Sequence, residues 1–296
     1  MSITEPDVSP TWQRLRPDDI PPFRPDVAMT SVANLVITIA ADTLRRSAFS
    51  CITGSPGIGK TVALNEFKRR YFGKVAIVKL SMPGTSARIC MSKMGVEISK
   101  TDAGDEPRAR FDGGAYEIAH SIFLTLCKRS GVDPKDARRG KWKAEEYDPL
   151  IVVFDEAQFM DPAAIDMLRC WNDVEQCYAP HPIAFLLVGN EEGTLRRGTR
   201  RCLLSDAMID RLHHNEVLDY QDMTDDDLML VAESLAELTP DAMKLLLAEL
   251  GRSNASRSAR TVASVVTYAH NQLSAGPVSE AALSAGFDWL RSTGRH

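Results

Sequence analysis

One segment, Gly54-Ser-Pro-Gly-Ile-Gly-Lys-Thr61, limits the possible folds of this chain more than any other feature. It follows the apolar run Phe49–Thr53 and precedes an amphipathic stretch, so the pattern predicts a tight turn between a β-strand and an α-helix. Its glycines let successive backbone N–H groups point at one anion, and the positive end of the following helix strengthens the attraction. The segment therefore predicts a phosphate-binding loop (P-loop), in which Lys60 reaches the β- and γ-phosphates of ATP and the Thr61 hydroxyl binds Mg²⁺. The expected nucleotide contacts are Gly54, Ser55, Pro56, Gly57, Ile58, Gly59, Lys60, Thr61 and Val62.

The apolar pattern around this loop predicts a parallel β-sheet covered by helices. Short continuous runs rich in Val, Ile, Leu and Phe are typical of strands that are buried on both faces. The predicted strands are Ala48–Thr53, Val75–Leu80, Leu150–Phe154, Ile183–Val188 and Glu216–Leu218. The predicted helices are 27–46, Thr61–Tyr71, Ala87–Met94, Tyr116–Arg129 and Pro162–Cys177. The expected fold class is α/β, with a three-layer α/β/α core.

The composition changes at both ends of this α/β region. Residues 1–26 contain six prolines, which prevent a helix and predict an extended arm. After Tyr220 the apolar residues take helical spacing, in Asp225–Leu235, Pro240–Leu250, Ala259–Leu273 and Glu280–Leu290. We therefore expect an N-terminal arm over 1–26, an α/β core over 27–222 and a small helical domain over 223–296.

An acidic pair follows the third predicted strand, 95 residues after Lys60. Asp155 and Glu156 come directly after Leu150–Phe154, at the end of a buried strand. Carboxylates at such a strand end suit a Mg²⁺ site, where Asp155 holds the metal, usually through water, and Glu156 polarises the attacking water. Together with the P-loop, the pair predicts ATP hydrolysis.

This succession of motifs resembles that of the AAA+ ATPases. The resemblance implies that Asn190, at the end of the fourth strand, lies beside Glu156 and helps to place the water. It also implies that a neighbouring subunit donates an arginine to the γ-phosphate. Arg211, just before the last strand, is the expected donor and Arg201 the second choice. Arg260 is expected to face the nucleotide from the helical lid, although its segment lacks the Gly and Leu usual in the family.

Within that class, the chain most resembles the transposition regulators of the MuB, TnsC and TniB kind. The relevant features are Ser81–Thr85 with the helix ending at Met94-Gly95-Val96, the motif Asp-Glu-Ala-Gln from Asp155, and the Val-Gly-Asn-Glu-Glu end of the fourth strand. The resemblance covers residues 27–275. The arm is too short for the DNA-binding domain that precedes the ATPase of MuB, so the minimal TnsC type is expected.

The resemblance implies a head-to-tail homo-oligomer, a ring or a helical filament, that binds double-stranded DNA and presents it to a transposase. Contacts to phosphates make such binding weakly dependent on sequence and sensitive to salt. The candidate DNA contacts are Arg88, Lys93, Lys100, Arg138, Arg139 and Lys141.

Composition excludes some classes of protein. The formal net charge of −5 excludes a uniformly basic nucleic-acid binder but not a local basic surface. Six cysteines without a C-x-x-C pair predict buried free thiols in a reducing compartment. Met1–Pro10 lacks an apolar signal core and Leu35–Ala41 is too short to span a membrane, so we expect a cytoplasmic protein without a membrane partner. The pair His213-His214 has no carboxylate or thiol at metal-ligand spacing, so we expect no metal there.

Three other functions fit parts of the pattern. A helicase loader or a protein-remodelling AAA+ switch would keep every ATP-site residue without a direct role on DNA. A nucleotide-sensing adaptor would bind ATP and hardly hydrolyse it, which Glu156 argues against. A two-domain helicase is disfavoured, because the 76 residues after Tyr220 show helical spacing and cannot form a second nucleotide-binding domain.

Overall fold

The computed structural model of the chain describes residues 21–24, 27–103, 111–139, 149–172, 183–190, 204–252, 257–273 and 276–293. The expectations for Lys141, for Arg201 and for most of the N-terminal arm lie outside these residues. The chain forms two compact units. Unit 1 comprises Met1–Pro22, Ile39–Thr53 and Phe67–Glu216. Unit 2 comprises Phe23–Thr38, Gly54–Glu66 and Val217–His296.

Strands are interspersed with helices up to residue 218, and only helices follow in the described residues. The strands are β1 (Phe49–Gly54), β2 (Val75–Lys79), β3 (Ile151–Asp155), β4 (Ala184–Gly189) and β5 (Asn215–Leu218). The helices are α1 (Ser31–Arg46), α2 (Lys60–Arg70), α3 (Ala87–Ala103), α4 (Ala115–Ser130), α5 (Pro134–Arg138), α6 (Pro162–Asn172), α7 (Asp206–Ile209), α8 (Asp225–Glu233), α9 (Pro240–Leu250), α10 (Ala259–Asn271) and α11 (Glu280–Ser292).

The five strands form one parallel sheet in the order β2-β3-β4-β1-β5. The Cα atoms of Asp155 and Val188 are partners between β3 and β4, and those of Thr53 and Gly189 between β1 and β4. Every residue of β1, β3 and β4 is buried, as their apolar runs predict. Because parallel strands in this register end together, the carboxyl ends of β1, β3 and β4 lie at one edge of the sheet. The parallel sheet and its flanking helices confirm the predicted α/β fold class.

The core of unit 1 forms where helices pack on the sheet. α3 and α6 pack on strands β2 and β4, and α4 packs on α3. The ring centroid of Phe185 in β4 lies 5.6 Å from the ring centroid of Phe49 and 6.5 Å from that of Phe154. Each such buried side chain contributes roughly 1.5–3 kcal/mol to stability. This packing fixes the strand ends that carry the polar residues.

The prediction for α3 was wrong at its end. We expected this helix to end at Met94-Gly95-Val96, but it continues to Ala103. Gly95 is buried, and a Cβ atom placed on it would lie 2.3 Å from the ring of Phe111. The glycine therefore permits the close approach of a neighbouring segment and does not end the helix.

The other predicted boundaries differ by smaller amounts. α1 begins at Ser31 and not at 27, because the Thr30 hydroxyl accepts a hydrogen bond from the backbone N–H of Ala33 and caps the helix. The described part of α6 ends at Asn172, short of the predicted Cys177. The short helices α5 and α7 were not predicted, since four or five residues show no periodicity.

Unit 2 contains the four helices predicted after Tyr220. Their N-termini are capped by the hydroxyls of Thr224, Thr239, Ser258 and Ser279. α10 and α11 pack closely. A Cβ atom at Gly286 in α11 would lie 2.9 Å from the Val265 carbonyl oxygen in α10, so the glycine permits this approach. This helical C-terminal region is consistent with a lid domain, while the predicted domain boundaries stay a prediction. None of the helices among the described residues is long and apolar enough to span a membrane.

The described end of the proline-rich arm, residues 21–24, lacks helical structure and binds to α2. In unit 2, the backbone N–H and the Nε atom of Arg24 donate to the two carboxylate oxygens of Glu66, each at 3.2 Å. In unit 1, Nε of Arg70 donates to the Pro21 carbonyl at 2.9 Å. The buried Glu66 carboxylate thus has a charged partner, as a buried charge requires.

Candidate functional site

The three glycines of the P-loop meet different structural requirements. Gly57 and Gly59 have φ angles of 84° and 100°, which other residues rarely adopt. A Cβ atom at Gly54 would lie 2.7 Å from the Leu218 carbonyl oxygen, and one at Gly57 would lie 2.9 Å from Cβ of Arg260. A Cβ atom at Gly59 would meet no atom within 4 Å. Gly54 and Gly57 therefore allow close packing, whereas Gly59 faces open space.

Lys60 is held by the loop that precedes it. Its Nζ atom donates to the carbonyl oxygens of Gly54 at 2.7 Å and Ser55 at 2.8 Å, and the residue is buried. The ammonium group thus lies inside the curve of the loop, at the first residue of α2. The open space at Gly59, this ammonium group and the helix N-terminus together fit a bound phosphate group.

Residues from the end of β5 onward hold the outer side of the same loop within unit 2. The backbone N–H of Ser55 donates to the Leu218 carbonyl at 3.0 Å, and the Tyr220 hydroxyl donates to the Pro56 carbonyl at 3.2 Å. The backbone N–H of Arg260 donates to the Gly57 carbonyl at 3.1 Å. Arg260 therefore lies against the loop, while its expected contact with the nucleotide stays a prediction. Tyr220 was missed, because a single tyrosine after a strand carries no motif signal.

The acidic pair lies at the end of β3 in unit 1. Asp155 is buried as the last residue of the strand. Glu156 follows with φ 62° and ψ 42°, in the left-handed region. This conformation costs a residue other than glycine about 1–2 kcal/mol. Such strain persists where surrounding structure enforces it, and it is concentrated at functional sites.

Two side-chain amides hold the Glu156 carboxylate. Nε2 of Gln158 donates to its Oε2 atom at 2.6 Å, and Nδ2 of Asn190 lies 3.5 Å from the same oxygen. The backbone N–H of Asn190 donates to Oε1 of Gln158 at 3.1 Å. The structure thus brings Asn190 beside Glu156, where the resemblance placed it. It adds Gln158, which belongs to the quoted acidic motif but to which the sequence assigned no role.

Comparison with known proteins identifies the family of this chain. The AAA domain family matches residues 44–196, more than half of the sequence. The chain belongs to the AAA domain family. Members of this family bind nucleotide, typically with Mg²⁺, and in general hydrolyse it. No curated protein matched the sequence.

Solved structures share the fold of this AAA domain protein at low sequence identity. Cdc6p from Pyrobaculum aerophilum matches with a TM-score of 0.55 and 16% identity, over 88% of this chain and 65% of that chain. A point mutant of RuvB from Thermotoga maritima matches with a TM-score of 0.50 and 13% identity, over 88% of this chain and 70% of that chain. The chain thus spans about two thirds of the length of these structures, and the likeness shows the fold alone.

Arg211, the expected trans-acting arginine of the AAA domain, lies between α7 and β5. Its backbone N–H donates to the Met208 carbonyl at 3.0 Å, and the residue is exposed. An exposed arginine at this place is compatible with a role in a neighbouring subunit, which stays a prediction.

The histidine pair after Arg211 has a carboxylate partner that sequence spacing did not reveal. Oδ2 of Asp42 lies 2.7 Å from Nε2 of His213 and 3.1 Å from Nε2 of His214, although 171 residues separate Asp42 from His213. Three potential metal-ligand atoms therefore lie within 4.8 Å of one another. Arg45 and Arg46 also pair with Asp42, at 2.8 and 3.1 Å. Because two guanidinium groups already compensate this carboxylate, we assign no metal to the cluster.

The electrostatics of Asp42 follow from these contacts. Burial favours the protonated carboxyl group, but hydrogen bonds from His213, His214 and Arg46 and the charge of Arg46 outweigh burial and hold the pKa of Asp42 well below its ordinary value. The cluster therefore stabilises the junction between α1 and the start of β5.

Two of the three basic residues of α3 share one face of the helix, and Arg88 lies on another. Lys93 lies about 140° around the helix from Arg88, whereas Lys100 lies within about 20° of Lys93. Nζ of Lys93 donates to the Lys79 carbonyl at 3.1 Å, and Nζ of Lys100 pairs with Glu97 at 2.7 Å. Arg88 is exposed and donates to the Gly113 carbonyl through Nε at 2.7 Å. The contacts of these three residues with DNA stay a prediction.

The second basic group keeps its arginines on the surface. Arg138 and Arg139, at the end of α5, are exposed. The Arg138 guanidinium lies 5.4 Å from the centroid of the Phe123 ring, and one of its nitrogens lies 3.1 Å from Nδ1 of His120. The arginine side chain is therefore anchored at the protein surface with its charge accessible.

Three described cysteines, Cys51, Cys90 and Cys127, are buried. Burial raises the pKa of Cys90 and that of Cys127 to about 11, so both are protonated at neutral pH. A cysteine nucleophile is therefore no part of the candidate site in the described residues.

Proposed function

We propose that this chain is a Mg²⁺-dependent ATPase that assembles on double-stranded DNA and regulates DNA transposition through a transposase partner. The observation that carries the ATPase part is the strained Glu156, whose carboxylate is held by the amides of Gln158 and Asn190 at the end of buried strand β3. The P-loop, with Lys60 turned onto the carbonyls of Gly54 and Ser55, supplies the matching phosphate site.

The residues of the P-loop bind the nucleotide in this proposal. Lys60 exchanges its two carbonyl partners for oxygens of the β- and γ-phosphates, and the backbone N–H groups from Gly57 to Thr61 donate to the remaining phosphate oxygens. The Thr61 hydroxyl and the Asp155 carboxylate would hold Mg²⁺, which would neutralise charge on the phosphates. Arg260 contacts the nucleotide from the lid, next to Gly57.

The residues at the strand ends carry the chemical step. Glu156 accepts a hydrogen bond from the attacking water and polarises it, and Asn190 keeps the carboxylate and the water in place. Arg211 of a neighbouring subunit stabilises the charge that develops on the γ-phosphate. An arginine supplied in this way makes hydrolysis depend on assembly, as a head-to-tail oligomer requires.

The DNA part of the proposal has different support. The segment Ser81–Thr85, the motif from Asp155 and the end of β4 resemble those of transposition regulators. Of the candidate phosphate contacts, Arg88, Arg138 and Arg139 are exposed in unit 1. Since the net charge of the chain is −5, these arginines form a local basic surface on an acidic protein. Because they contact phosphates, the affinity for DNA falls steeply as the salt concentration rises.

The test combines ATPase rates with negative-stain microscopy, each with and without duplex DNA. The wild type is expected to hydrolyse ATP and to form filaments or stacked rings on DNA. Lys60→Ala is expected to lose both, because it loses nucleotide binding. Glu156→Gln is expected to bind ATP and to trap assemblies, with kcat lowered about 10²- to 10⁴-fold.

Each contrary result points to a defined alternative. Nucleotide-dependent rings that ignore DNA would indicate a helicase loader or a protein-remodelling switch. A wild type that binds ATP without hydrolysing it would indicate an adaptor. A normal rate in Glu156→Gln would show that another residue activates the water.

A further inference from the structure

Gln158 joins two strand ends through one side-chain amide. Its Nε2 atom donates to the Glu156 carboxylate at 2.6 Å, and its Oε1 atom accepts from the backbone N–H of Asn190 at 3.1 Å. Glu156 directly follows β3, and Asn190 directly follows β4. The two contacts therefore connect the carboxylate to the end of the neighbouring strand.

The orientation of this amide follows from the backbone. A peptide N–H can only donate, so the Gln158 atom that faces Asn190 must be the oxygen. The NH₂ group must then face Glu156, where it meets an ionised acceptor. A short hydrogen bond to a charged group is about twice as strong as one between neutral groups. The contact that holds Glu156 is thus fixed by geometry and strengthened by charge.

The two oxygens of the Glu156 carboxylate have different surroundings. Among the described residues, both hydrogen bonds that this carboxylate accepts go to Oε2, from Gln158 and Asn190. Oε1 is left as the oxygen that can accept from water. Because the Glu156 backbone is in the left-handed region, its side chain leaves the strand in an unusual direction and needs such a partner to define its position.

We infer that Gln158 is a positioning residue for hydrolysis, which orients Glu156 toward water and couples that carboxylate to the end of β4. The inference rests on the proposed ATPase activity. A positioning role affects the rate of the chemical step and leaves nucleotide binding in place, since the contacts of Gln158 are made to Glu156 and Asn190.

Two substitutions of Gln158 separate its hydrogen bonds from its size. Gln158→Met keeps the length of the side chain and removes both hydrogen bonds. Gln158→Glu keeps the acceptor for the Asn190 N–H and replaces the donor to Glu156 by a second carboxylate. Gln272→Met, on an exposed residue at the end of α10, is the matched control.

The kinetic test measures kcat, KM for MgATP and the melting temperature of each variant. Gln158→Met is expected to lower kcat about 10-fold, with KM within about 2-fold of the wild type. Gln158→Glu is expected to lower kcat further, because it repels Glu156, and Gln272→Met to have no effect. A folded Gln158→Met or Gln158→Glu variant with the wild-type kcat, or with a raised KM alone, would overturn the inference. If Gln158→Met does not fold, the kcat and KM of Gln158→Glu test the inference.

A second readout needs no activity. Hydrogen exchange of the Asn190 backbone amide, measured by NMR on the nucleotide-free protein, is expected to speed up in Gln158→Met and to stay slow in Gln158→Glu. Unchanged exchange in Gln158→Met would overturn the bridge itself. If the wild type had no ATPase activity but the two variants still showed this exchange pattern, the proposed function would be wrong and the hydrogen-bond bridge through Gln158 would stand.

Discussion

The P-loop in unit 2 and the acidic turn in unit 1 are held in place by different kinds of contact. The P-loop depends mainly on its backbone: Gly57 and Gly59 have positive φ, and main-chain hydrogen bonds join Ser55 to Leu218 and Gly57 to Arg260. The turn after β3 depends on side chains, because the amides of Gln158 and Asn190 hold Glu156. A phosphate cradle built from the backbone tolerates changes in side chains, whereas a carboxylate held by amides can be moved by one substitution.

The two regions also differ in how they accommodate a positive φ. Glycine adopts it readily, so the loop can take this shape without a side-chain partner. The same region of φ costs Glu156 about 1–2 kcal/mol, and its hydrogen bonds must offset that cost. The strain is therefore located at the residue that we propose to activate the attacking water.

The largest effect is expected from Gly57→Ala, which tests whether the backbone shapes the loop. The new Cβ atom would lie 2.9 Å from Cβ of Arg260, in addition to the strained φ. We expect a loss of about 2–4 kcal/mol in the free energy of unfolding, measured in urea, together with loss of nucleotide binding.

Gly131→Ala is the control for Gly57→Ala. Gly131 also has a positive φ, but a Cβ atom there meets nothing within 4 Å. The control is expected to cost about 1 kcal/mol with nucleotide binding intact. Equal losses in both variants would mean that the contact with Arg260 has no influence on the loop.

An intermediate effect is expected from Asp42→Asn, which tests a side-chain network in unit 1 outside the candidate site. The pKa of Asp42 is lowered in the folded protein, so its contribution to stability is present above the ordinary pKa of 3.8 and disappears as the pH falls through the folded value. The variant should therefore be less stable by about 1–2 kcal/mol at pH 7, and the difference should narrow below about pH 4.

Urea unfolding between pH 3 and pH 7 measures this dependence. Asp241→Asn, which breaks an exposed pair with Lys244, is the control and should cost less than about 0.5 kcal/mol. The ATPase rate of Asp42→Asn should equal that of the wild type. A stability difference that does not change with pH would contradict the assigned role of the carboxylate.

The smallest effect is expected from Tyr220→Phe, which removes a side-chain hydrogen bond to the outer side of the loop. The hydroxyl donates to the Pro56 carbonyl at 3.2 Å, and a neutral hydrogen bond contributes about 0.5–1.5 kcal/mol. We expect ATP to bind about 2- to 10-fold more weakly at unchanged kcat, measured with a fluorescent nucleotide. Tyr268→Phe, whose ring stacks on Trp289, is the control without an effect on affinity. A lower kcat with unchanged affinity would contradict the contrast between the two regions.

The sequence predicted those features that depend on neighbouring residues. The five strands were found because each is a continuous apolar run, and four of the helix N-termini after residue 220 carry a Ser or Thr cap. The predicted end of α3 was wrong, because Gly95 does not end the helix but leaves room for the ring of Phe111. Helix periodicity does not reveal this contact. Tyr220 was missed because a single tyrosine carries no motif signal, and Gln158 because its motif does not reveal the contact with Asn190.

The sequence by itself determined the P-loop and the acidic pair, because strand, turn and helix follow one another in the chain and their residues act through local geometry. Only the tertiary structure decided which distant groups meet. The strand order places β4 next to β3, so Asn190 reaches Glu156 across 34 residues, and it places β5 next to β1, so Asp42 reaches His213 across 171 residues. The order of strands depends on how the whole core packs, and no local pattern records it.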